Sequence, residues 1–411
     1  MDMPDAIEEK LNQILRDRAD GAQQIEARLR SWQDIRERLV EVQEALQCLS
    51  RHPSATPGVA HLCSKLDLAD LPGAIDREVL PRMRRVQQRL GRARIIIGVG
   101  GKARVGKSTL LQAISGLDND QIPTGDDLPV TAVRSRIFHS PNQRRALLSF
   151  HTWDSFREEV LRPHYERLAW GPPPRSVAAF ERAALPAVPT DAEQATVLSG
   201  LRDRVAGMQA SLESYRHLMT GERREFDLEE LRGFVAYPSS EQEASGRPPR
   251  RYLAVREALI ECPFPGVSVR HLGLVDLPGT GEIVAAGDRR HVGGLEDEVD
   301  VVLLVTNPKK TAYWDQESAN TLDIVLEARA GVEAEDFALV IVNSGGATSA
   351  QQGALKGDIE RKLGGRHRII ECDAIDPGSV RQDLLEPVLM HLAARLPRMD
   401  AAAMEYAGAN L

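Results

Sequence analysis

The stretch Arg94-Ile95-Ile96-Ile97-Gly98-Val99-Gly100-Gly101-Lys102-Ala103-Arg104-Val105-Gly106-Lys107-Ser108-Thr109 decides the fold class of this chain. Its first half is an apolar, β-branched run that is typical of a buried strand. Its second half matches G-x-x-x-x-G-K-S, and the helical pattern of residues 110–114 follows directly. A strand, a glycine-rich loop and a helix start in this order predict a phosphate-binding cradle, because inward-turned backbone N–H groups and the helix dipole attract anions.

Each residue type in this loop has a chemical reason to be there. Lys107 brings a point charge to the β- and γ-phosphates, and the Ser108 hydroxyl is suited to bind Mg²⁺. The residues expected to contact the nucleotide here are Gly101, Lys102, Ala103, Arg104, Val105, Gly106, Lys107, Ser108 and Thr109.

Further apolar runs alternate with helical patterns downstream. They cover 272–276, 301–305, 337–343 and 368–372. Continuously apolar strands separated by helices indicate a parallel sheet that is covered on both faces. The sequence therefore predicts an α/β fold with a mainly parallel sheet, to which an N-terminal helical segment and a helical insertion are added.

Two short motifs after the loop fit the switch segments of a nucleoside triphosphatase. Thr131, in Pro129-Val130-Thr131-Ala132, can place a hydroxyl on Mg²⁺ and an N–H on the γ-phosphate. A buried strand then ends in Asp276-Leu277-Pro278-Gly279. We expect Asp276 to orient Mg²⁺ through a water molecule and the Gly279 N–H to contact the γ-phosphate.

Composition excludes several classes of protein and site. The 411 residues carry a net charge of −8, with no basic footprint for nucleic acid. The charged N-terminus does not resemble a signal peptide, and no apolar run approaches a membrane span. Association with a membrane surface stays open, although nothing in the sequence supports it. Four scattered cysteines predict buried, reduced thiols in a cytoplasmic protein, and the histidines form no metal-binding pattern.

The regions flanking the phosphate loop are predicted to be helical. Residues 4–50 keep a heptad phase, interrupted by Arg18, Gly21 and Arg28, which predicts either a bundle or coiled coil or an amphipathic helix packed on its own domain. A second helix is expected from about Asp76 to Leu90. We therefore divide the chain into an N-terminal helical segment (1–93), a nucleotide domain (94–150 and 251–397), a helical insertion (151–250) and a C-terminal tail (398–411).

The order of these elements, with Pro-Val-Thr-Ala and Asp-Leu-Pro-Gly-Thr-Gly, resembles the dynamin superfamily of large GTPases and its bacterial members most of all. The resemblance covers about 94–145 and 255–397. It implies a Mg²⁺-dependent GTPase that forms a homodimer through its G domain. It also implies that Lys107, Ser108, Thr131, Asp276 and Gly279 take the roles given above.

The segment that reads guanine departs from the family pattern. Family members carry Asn/Thr-Lys-x-Asp, whereas this chain has Asn343-Ser344-Gly345-Gly346. Asn343 remains, but the lysine and the aspartate are missing. Asp373 either supplies the missing carboxylate from the last loop or acts as the N-cap of a helix.

A second departure is Arg104, because dynamin has a small serine at this position. Guanylate-binding proteins and atlastins carry arginine there, which implies an internal arginine finger that stabilises charge in phosphoryl transfer. The alternative is an ordinary solvated loop arginine.

Three functions remain open at this stage. The first is GTP hydrolysis that is stimulated by dimerisation, with Lys107, Arg104 and Thr131 as catalytic residues. The second is an ATPase or broad-specificity NTPase on the same scaffold. The third is a nucleotide-dependent scaffold without turnover, whose helices and insertion do the work, and the insertion is well placed to bind a protein partner.

Overall fold

The computed structural model describes most of the chain. The described residues are 3–52, 56–58, 61, 65–66, 68, 70–102, 104–119, 121–122, 135–187, 195–236, 238, 249–265, 269, 271–277, 298–309, 313–327, 329 and 331–408. Thr131, Gly279, Ala103 and Cys63 lie outside them. Within the described part, no helix is both long enough and apolar enough to span a membrane.

A single nine-stranded sheet organises the chain between residues 95 and 372. Its strands are β1 (Ile95–Gly101), β2 (Ser135–His139), β3 (Arg145–Phe150), β4 (Arg223–Phe226), β5 (Val255–Cys262), β6 (Leu272–Asp276), β7 (Val301–Thr306), β8 (Ala338–Asn343) and β9 (Ile369–Cys372). The spatial order is β4-β3-β5-β2-β6-β1-β7-β8-β9. From β6 to β9 all neighbours are parallel, and antiparallel pairs occur only at β2–β6, β3–β5 and β3–β4. The mainly parallel α/β sheet predicted from the sequence is confirmed.

The described helices of eight or more residues are α1 (Met3–Arg51), α2 (Leu80–Leu90), α3 (Lys107–Ser115), α4 (Ala195–Ala210), α5 (Gln316–Glu327), α6 (Ser349–Leu363) and α7 (Glu386–Gly408). Segments Asp70–Ala74 and Ile75–Val79 lead directly into α2. Central strands β1, β6, β7 and β8 are buried throughout, as expected for a sheet with both faces covered.

The insertion is helical over much of its described length, with segments Trp153–Phe156, Arg157–Leu161, Arg162–Arg167 and Val177–Arg182 besides α4. It is not wholly helical, however. Strand β4 pairs with β3 and forms one edge of the sheet. The insertion predicted to be helical therefore also contains a strand, because the short polar run 223–226 acquires its strand structure from the long-range pairing with β3.

Helix α1 is long, as the heptad phase predicts, but only its first half is buried. Leu11, Ile14, Ile25 and Leu29 are at most 6% exposed, whereas the heptad positions Ile35, Val42 and Leu49 are 43%, 48% and 51% exposed. Helix α2 packs along α1, and α7 contacts both helices. The C-terminal residues also differ from the prediction of a tail, because 398–408 continue α7 and bury Met399 and Ala403.

A buried ion-pair cluster joins these helices to the sheet. Asp300, which directly precedes β7, is fully buried and accepts hydrogen bonds from Arg18 at 2.7 Å and Arg92 at 3.0 Å. Asp400 of α7 accepts from Arg18 at 2.7 Å and from Arg89 at 3.1 Å. Asp300 also accepts from the Ile96 N–H of β1 at 2.8 Å. Three helices are thus tied to the two central strands by charge-assisted hydrogen bonds.

The cysteine prediction is confirmed in part. Cys262 and Cys372 are buried free thiols, and burial raises the pKa of each to about 12. Cys48 is also a free thiol, but it is exposed on α1, so the prediction that it is buried is wrong.

Candidate functional site

The candidate site lies where the carboxyl ends of β1, β6, β8 and β9 meet. Register pairs Val99 with Asp276 across β1 and β6, and Asn343 with Cys372 across β8 and β9. Ligands of open parallel sheets bind at this edge, because helices begin there and direct their N-termini toward it.

The loop between β1 and α3, which is the predicted phosphate cradle, has a backbone conformation that favours glycine. Positive φ angles occur at Gly101 (140°), Arg104 (66°) and Gly106 (99°). A Cβ at Gly101 would collide with the Val305 carbonyl oxygen, and one at Gly106 would collide with the Asn343 amide nitrogen. Only glycine fits at these two positions, so the glycine spacing of the motif follows from the way the loop is packed.

Lys107 is the first residue of α3 and turns back across the loop. Its Nζ donates to the carbonyl oxygens of Gly101 and Lys102, both at 3.0 Å. The ammonium group is therefore held over the loop. The Lys107 side chain is half-buried, and the residue stands at the N-terminus of α3. Ser108 and Thr109 lie in the same first helical turn.

Arg104 is one of two described non-glycine residues with a positive φ. A left-handed conformation costs an L-residue about 1 kcal/mol or more, and such strain is concentrated at functional sites. That Arg104 acts in catalysis remains a prediction.

Asp276 ends β6 beside the phosphate loop and is 7% exposed. Ser108, and Asp276 through water, remain the predicted Mg²⁺-binding residues here, because Mg²⁺ prefers oxygen ligands. Magnesium at nucleotide sites is held by one or two side chains together with phosphates and water, so a dense protein cage is not required. The described residues contain no group of three or more His, Cys, Asp and Glu side chains suited to a metal.

Asn343 connects three loops of the site. Its Nδ2 donates to the Val105 carbonyl oxygen at 2.9 Å. Its Oδ1 accepts from the Gly345 N–H at 3.2 Å and from the Ala374 N–H at 3.1 Å. The phosphate loop and the segments after β8 and β9 are therefore held together by one buried amide.

Asp373 lies beside this junction, and it is not a helix N-cap. Its Oδ1 accepts from the Ile375 N–H at 2.9 Å, which closes a turn within the loop. Asp376 instead caps the following helix by accepting from the Gly378 N–H at 2.9 Å. The N-cap alternative is thus wrong for Asp373, and its role toward a nucleobase stays a prediction.

The structure adds two groups of residues that sequence reasoning missed. Asp315 and Glu317 pair with Lys102, and the Lys102–Glu317 distance is 3.3 Å. Burial by itself raises the pKa of Asp315, but hydrogen bonds from Lys102 and Ser318 outweigh it and lower the pKa. No motif marks this contact, because the partners are over 200 residues apart in sequence.

The second group surrounds the glycines that replace the base-reading lysine and aspartate. The Lys309 side chain lies against Gly346, where a Cβ would be 3.2 Å from Lys309 Cε. Ile375 is 71% exposed, and its Cδ1 is 3.6 Å from the position of a Cβ on Gly345. A cation and an apolar side chain thus flank the glycine pair, although neither belongs to the expected motif.

Comparison with known proteins gives structural neighbours only. No protein-family profile and no curated protein matches the chain. Among solved structures, the chain is similar to two chains from an oligomerised bacterial dynamin pair, which was described as providing a mechanism for the long-range sensing and tethering of membranes. The first match has 12% identity and a TM-score of 0.44 and covers 91% of this chain and 54% of that one. The second has 11% identity and a TM-score of 0.43 and covers 80% and 38%. This chain therefore spans about half or less of the length of these two neighbours.

Proposed function

We propose that this protein is a dynamin-like GTPase that binds GTP with Mg²⁺ and hydrolyses it to GDP and phosphate. One observation carries the proposal. Lys107 stands at the N-terminus of α3, and its ammonium group is held across the glycine-containing loop that follows β1, whose neighbour β6 ends in Asp276. A polyphosphate bound there meets a fixed ammonium group and a helix dipole.

Each residue has a separate task in this proposal. Lys107 binds the β/γ-phosphates, and Arg104 stabilises the charge that develops on the transferred phosphoryl group. Ser108, Thr131 and Asp276 would hold Mg²⁺, the last through water, and the ion would neutralise phosphate charge. Dimerisation across the nucleotide face would organise the Arg104 loop, as the family resemblance implies.

A second candidate is an NTPase that does not distinguish guanine strongly from adenine. The observation in its favour is the Ser344-Gly345-Gly346 segment, which has no side-chain carboxylate for the two guanine N–H groups. Asp373 is the nearest alternative, since its Oδ1 lies 3.6 Å from a Cβ position on Gly345.

Phosphate release from GTP and from ATP over a series of protein concentrations tests both candidates. The GTPase proposal expects Mg²⁺-dependent release from GTP, with a rate per molecule that rises with concentration and is lost in Lys107→Ala. Comparable turnover of ATP would favour the second candidate. Tight binding without turnover at any concentration would refute hydrolysis and leave a nucleotide-dependent scaffold.

A further inference from the structure

Lys102 takes part in the phosphate loop through its backbone and is anchored through its side chain. Its carbonyl oxygen is one of the two acceptors of the Lys107 ammonium group, at 3.0 Å. Its own ammonium group pairs with Asp315 and, at 3.3 Å, with Glu317. The Lys102 side chain is 14% exposed, so the pair with Asp315 is largely shielded from solvent. The residue that offers an acceptor to Lys107 is therefore itself held by a carboxylate from outside the loop.

Asp315 is fixed by the start of α5, which it directly precedes. Its Oδ1 accepts from the Ser318 N–H at 2.9 Å and from the Ser318 hydroxyl at 2.8 Å, and these bonds cap the first turn of the helix. Its Oδ2 pairs with Lys102. The two carboxylate oxygens thus have separate partners, and the cap determines where the oxygen that binds Lys102 lies.

The residue before Asp315 is fixed by a second helix, α6. The Trp314 N–H donates to Asp358 Oδ2 at 2.8 Å, and the Trp314 carbonyl oxygen accepts from Lys362 Nζ at 2.6 Å. Asp358 and Lys362 pair with each other at 2.9 Å, and Trp314 is 5% exposed. The backbone that carries Asp315 is therefore held on both sides, by α6 before it and by the helix cap after it.

The other end of the phosphate loop is held by Asn343, which donates to the Val105 carbonyl oxygen at 2.9 Å. Asp315 and Asn343 thus fix the loop at two points, Lys102 and Val105, from two different elements. A loop that is held in its binding conformation loses less conformational entropy when a ligand binds, so its affinity for that ligand is higher.

We propose that Asp315 is a positioning residue of the phosphate loop, which acts through Lys102 to hold the loop in the conformation that receives the nucleotide phosphates. The inference rests on the proposed nucleotide-binding function of this loop. Asp315 lies 213 residues downstream of Lys102 and belongs to none of the sequence motifs of the site. Its task differs from that of Lys107, because it holds the loop and does not itself bind phosphate.

Binding of GDP that carries a fluorescent methylanthraniloyl group, titrated with nucleotide-free protein and Mg²⁺, tests this assignment. Asparagine caps helices as well as aspartate does, so Asp315→Asn keeps the start of α5 but removes the charge that anchors Lys102. We expect the affinity to fall about tenfold, the typical effect of losing a charge-assisted hydrogen bond. Salt at about 0.5 M screens any attraction between a released Lys102 and the phosphates.

Glu317→Gln is the matched control. It removes the same charge beside the same lysine, but the Glu317 side chain is 49% exposed and its pair with Lys102 is longer, at 3.3 Å. Exposed pairs contribute little, so this variant should bind the labelled GDP about as tightly as the wild type. Equal weakening by Glu317→Gln and Asp315→Asn would overturn the proposal, because the loss would then reflect net charge and not the anchor.

The decisive measurement repeats Asp315→Asn in a Lys102→Gln background. If Asp315 acts through Lys102, it should have little further effect there, because residues that act through one contact are not additive. Equal weakening in both backgrounds would overturn the proposal, since Asp315 would then act only as the cap of α5. Unchanged or tighter binding by Asp315→Asn would overturn it as well. GDP binding without GTP turnover would refute the proposed hydrolysis alone, whereas a wild type that binds no GDP would overturn both proposals.

Discussion

The buried carboxylate of Asp300 gives the most demanding test of how this molecule is held together. It accepts hydrogen bonds from Arg18, Arg92 and the Ile96 N–H, and Arg89 lies 3.8 Å away. In Asp300→Asn the shape is kept, but three buried arginines would face the single carboxylate of Asp400. Breaking a buried ion pair on one side costs about 3–5 kcal/mol, because the remaining charge is left without compensation.

A loss of this size should be plain in thermal unfolding followed by circular dichroism. At about 2–4 °C per kcal/mol for a large domain, the melting temperature should fall by about 6–20 °C. The control is Asp34→Asn on α1, whose carboxylate is 61% exposed and pairs with Arg38 at 3.1 Å. An exposed pair is worth at most about 1 kcal/mol, so this variant should melt within a few degrees of the wild type.

Wild type and Asp300→Asn also allow a pH test, because the direction of the Asp300 pKa shift fixes the direction in which their difference in stability changes with pH. Burial by itself raises the pKa of Asp300, but the charges of Arg18, Arg92 and Arg89 outweigh burial and lower its pKa below the ordinary value. A depressed folded-state pKa contributes stability above the unfolded value of about 3.9, and this stability is lost as the pH falls. The melting difference between wild type and Asp300→Asn should therefore be equal at pH 8 and pH 6 and shrink below about pH 4. An Asp300→Asn protein that melts with the wild type would refute the assignment of the cluster as the joint between helices and sheet.

Three other predictions concern the loop and α1. Lys107→Ala should lose tight triphosphate binding, because the polyphosphate loses the cation held over the loop; unchanged affinity by calorimetry would refute the phosphate-site assignment. Arg104→Ala should bind nucleotide almost normally but release phosphate about a thousandfold more slowly, and Arg104→Lys should restore little of the rate. If Arg104→Ala keeps most of its turnover, Arg104 is an ordinary solvated residue of the loop. Leu39→Asp should lower the melting temperature by several degrees, since Leu39 packs against the buried cluster that α1 and α2 form around Leu29 and Met83, whereas Ile35→Asp, at a 43% exposed position, should not. Equal melting of the two variants would contradict this packing.

The sheet was predictable from the sequence because its central strands carry their own signal. A strand buried on both faces must be apolar at every position, so β6, β7 and β8 are visible as uninterrupted runs. Edge strand β4 gives no such signal, since three of its four residues are exposed. The sequence also predicts the start of β8 one residue too early. Phe337 is apolar and buried like the strand residues, but it ends a short helical segment.

The glycine spacing of the loop after β1 could be read from the sequence for a different reason, which is that the backbone geometry of this loop permits few residue types. Only glycine fits at positions 101 and 106, because a Cβ there would collide with Val305 and Asn343, respectively. The base side of the site has no comparable constraint. Ile375 approaches Gly345 and Lys309 approaches Gly346, each from another loop. Contacts between residues that are far apart in the sequence produce no motif with a fixed spacing.

Arg18 illustrates how an irregularity in a pattern marks a long-range contact without identifying it. The heptad phase of α1 is interrupted at Arg18 and Gly21, and both residues face other elements. Arg18 is 2% exposed within the Asp300–Asp400 cluster, and a Cβ on Gly21 would lie 3.3 Å from Leu90 of α2. The bonded partners of Arg18 are 282 and 382 residues away, beyond the reach of any local pattern. A buried arginine is tolerated only when it is paired with an opposite charge. An arginine on the apolar face of a helix therefore indicates that carboxylates from other elements bind it. Here those acids are Asp300, directly before β7, and Asp400 of α7, so the interrupted heptad is the place where the helices are joined to the sheet.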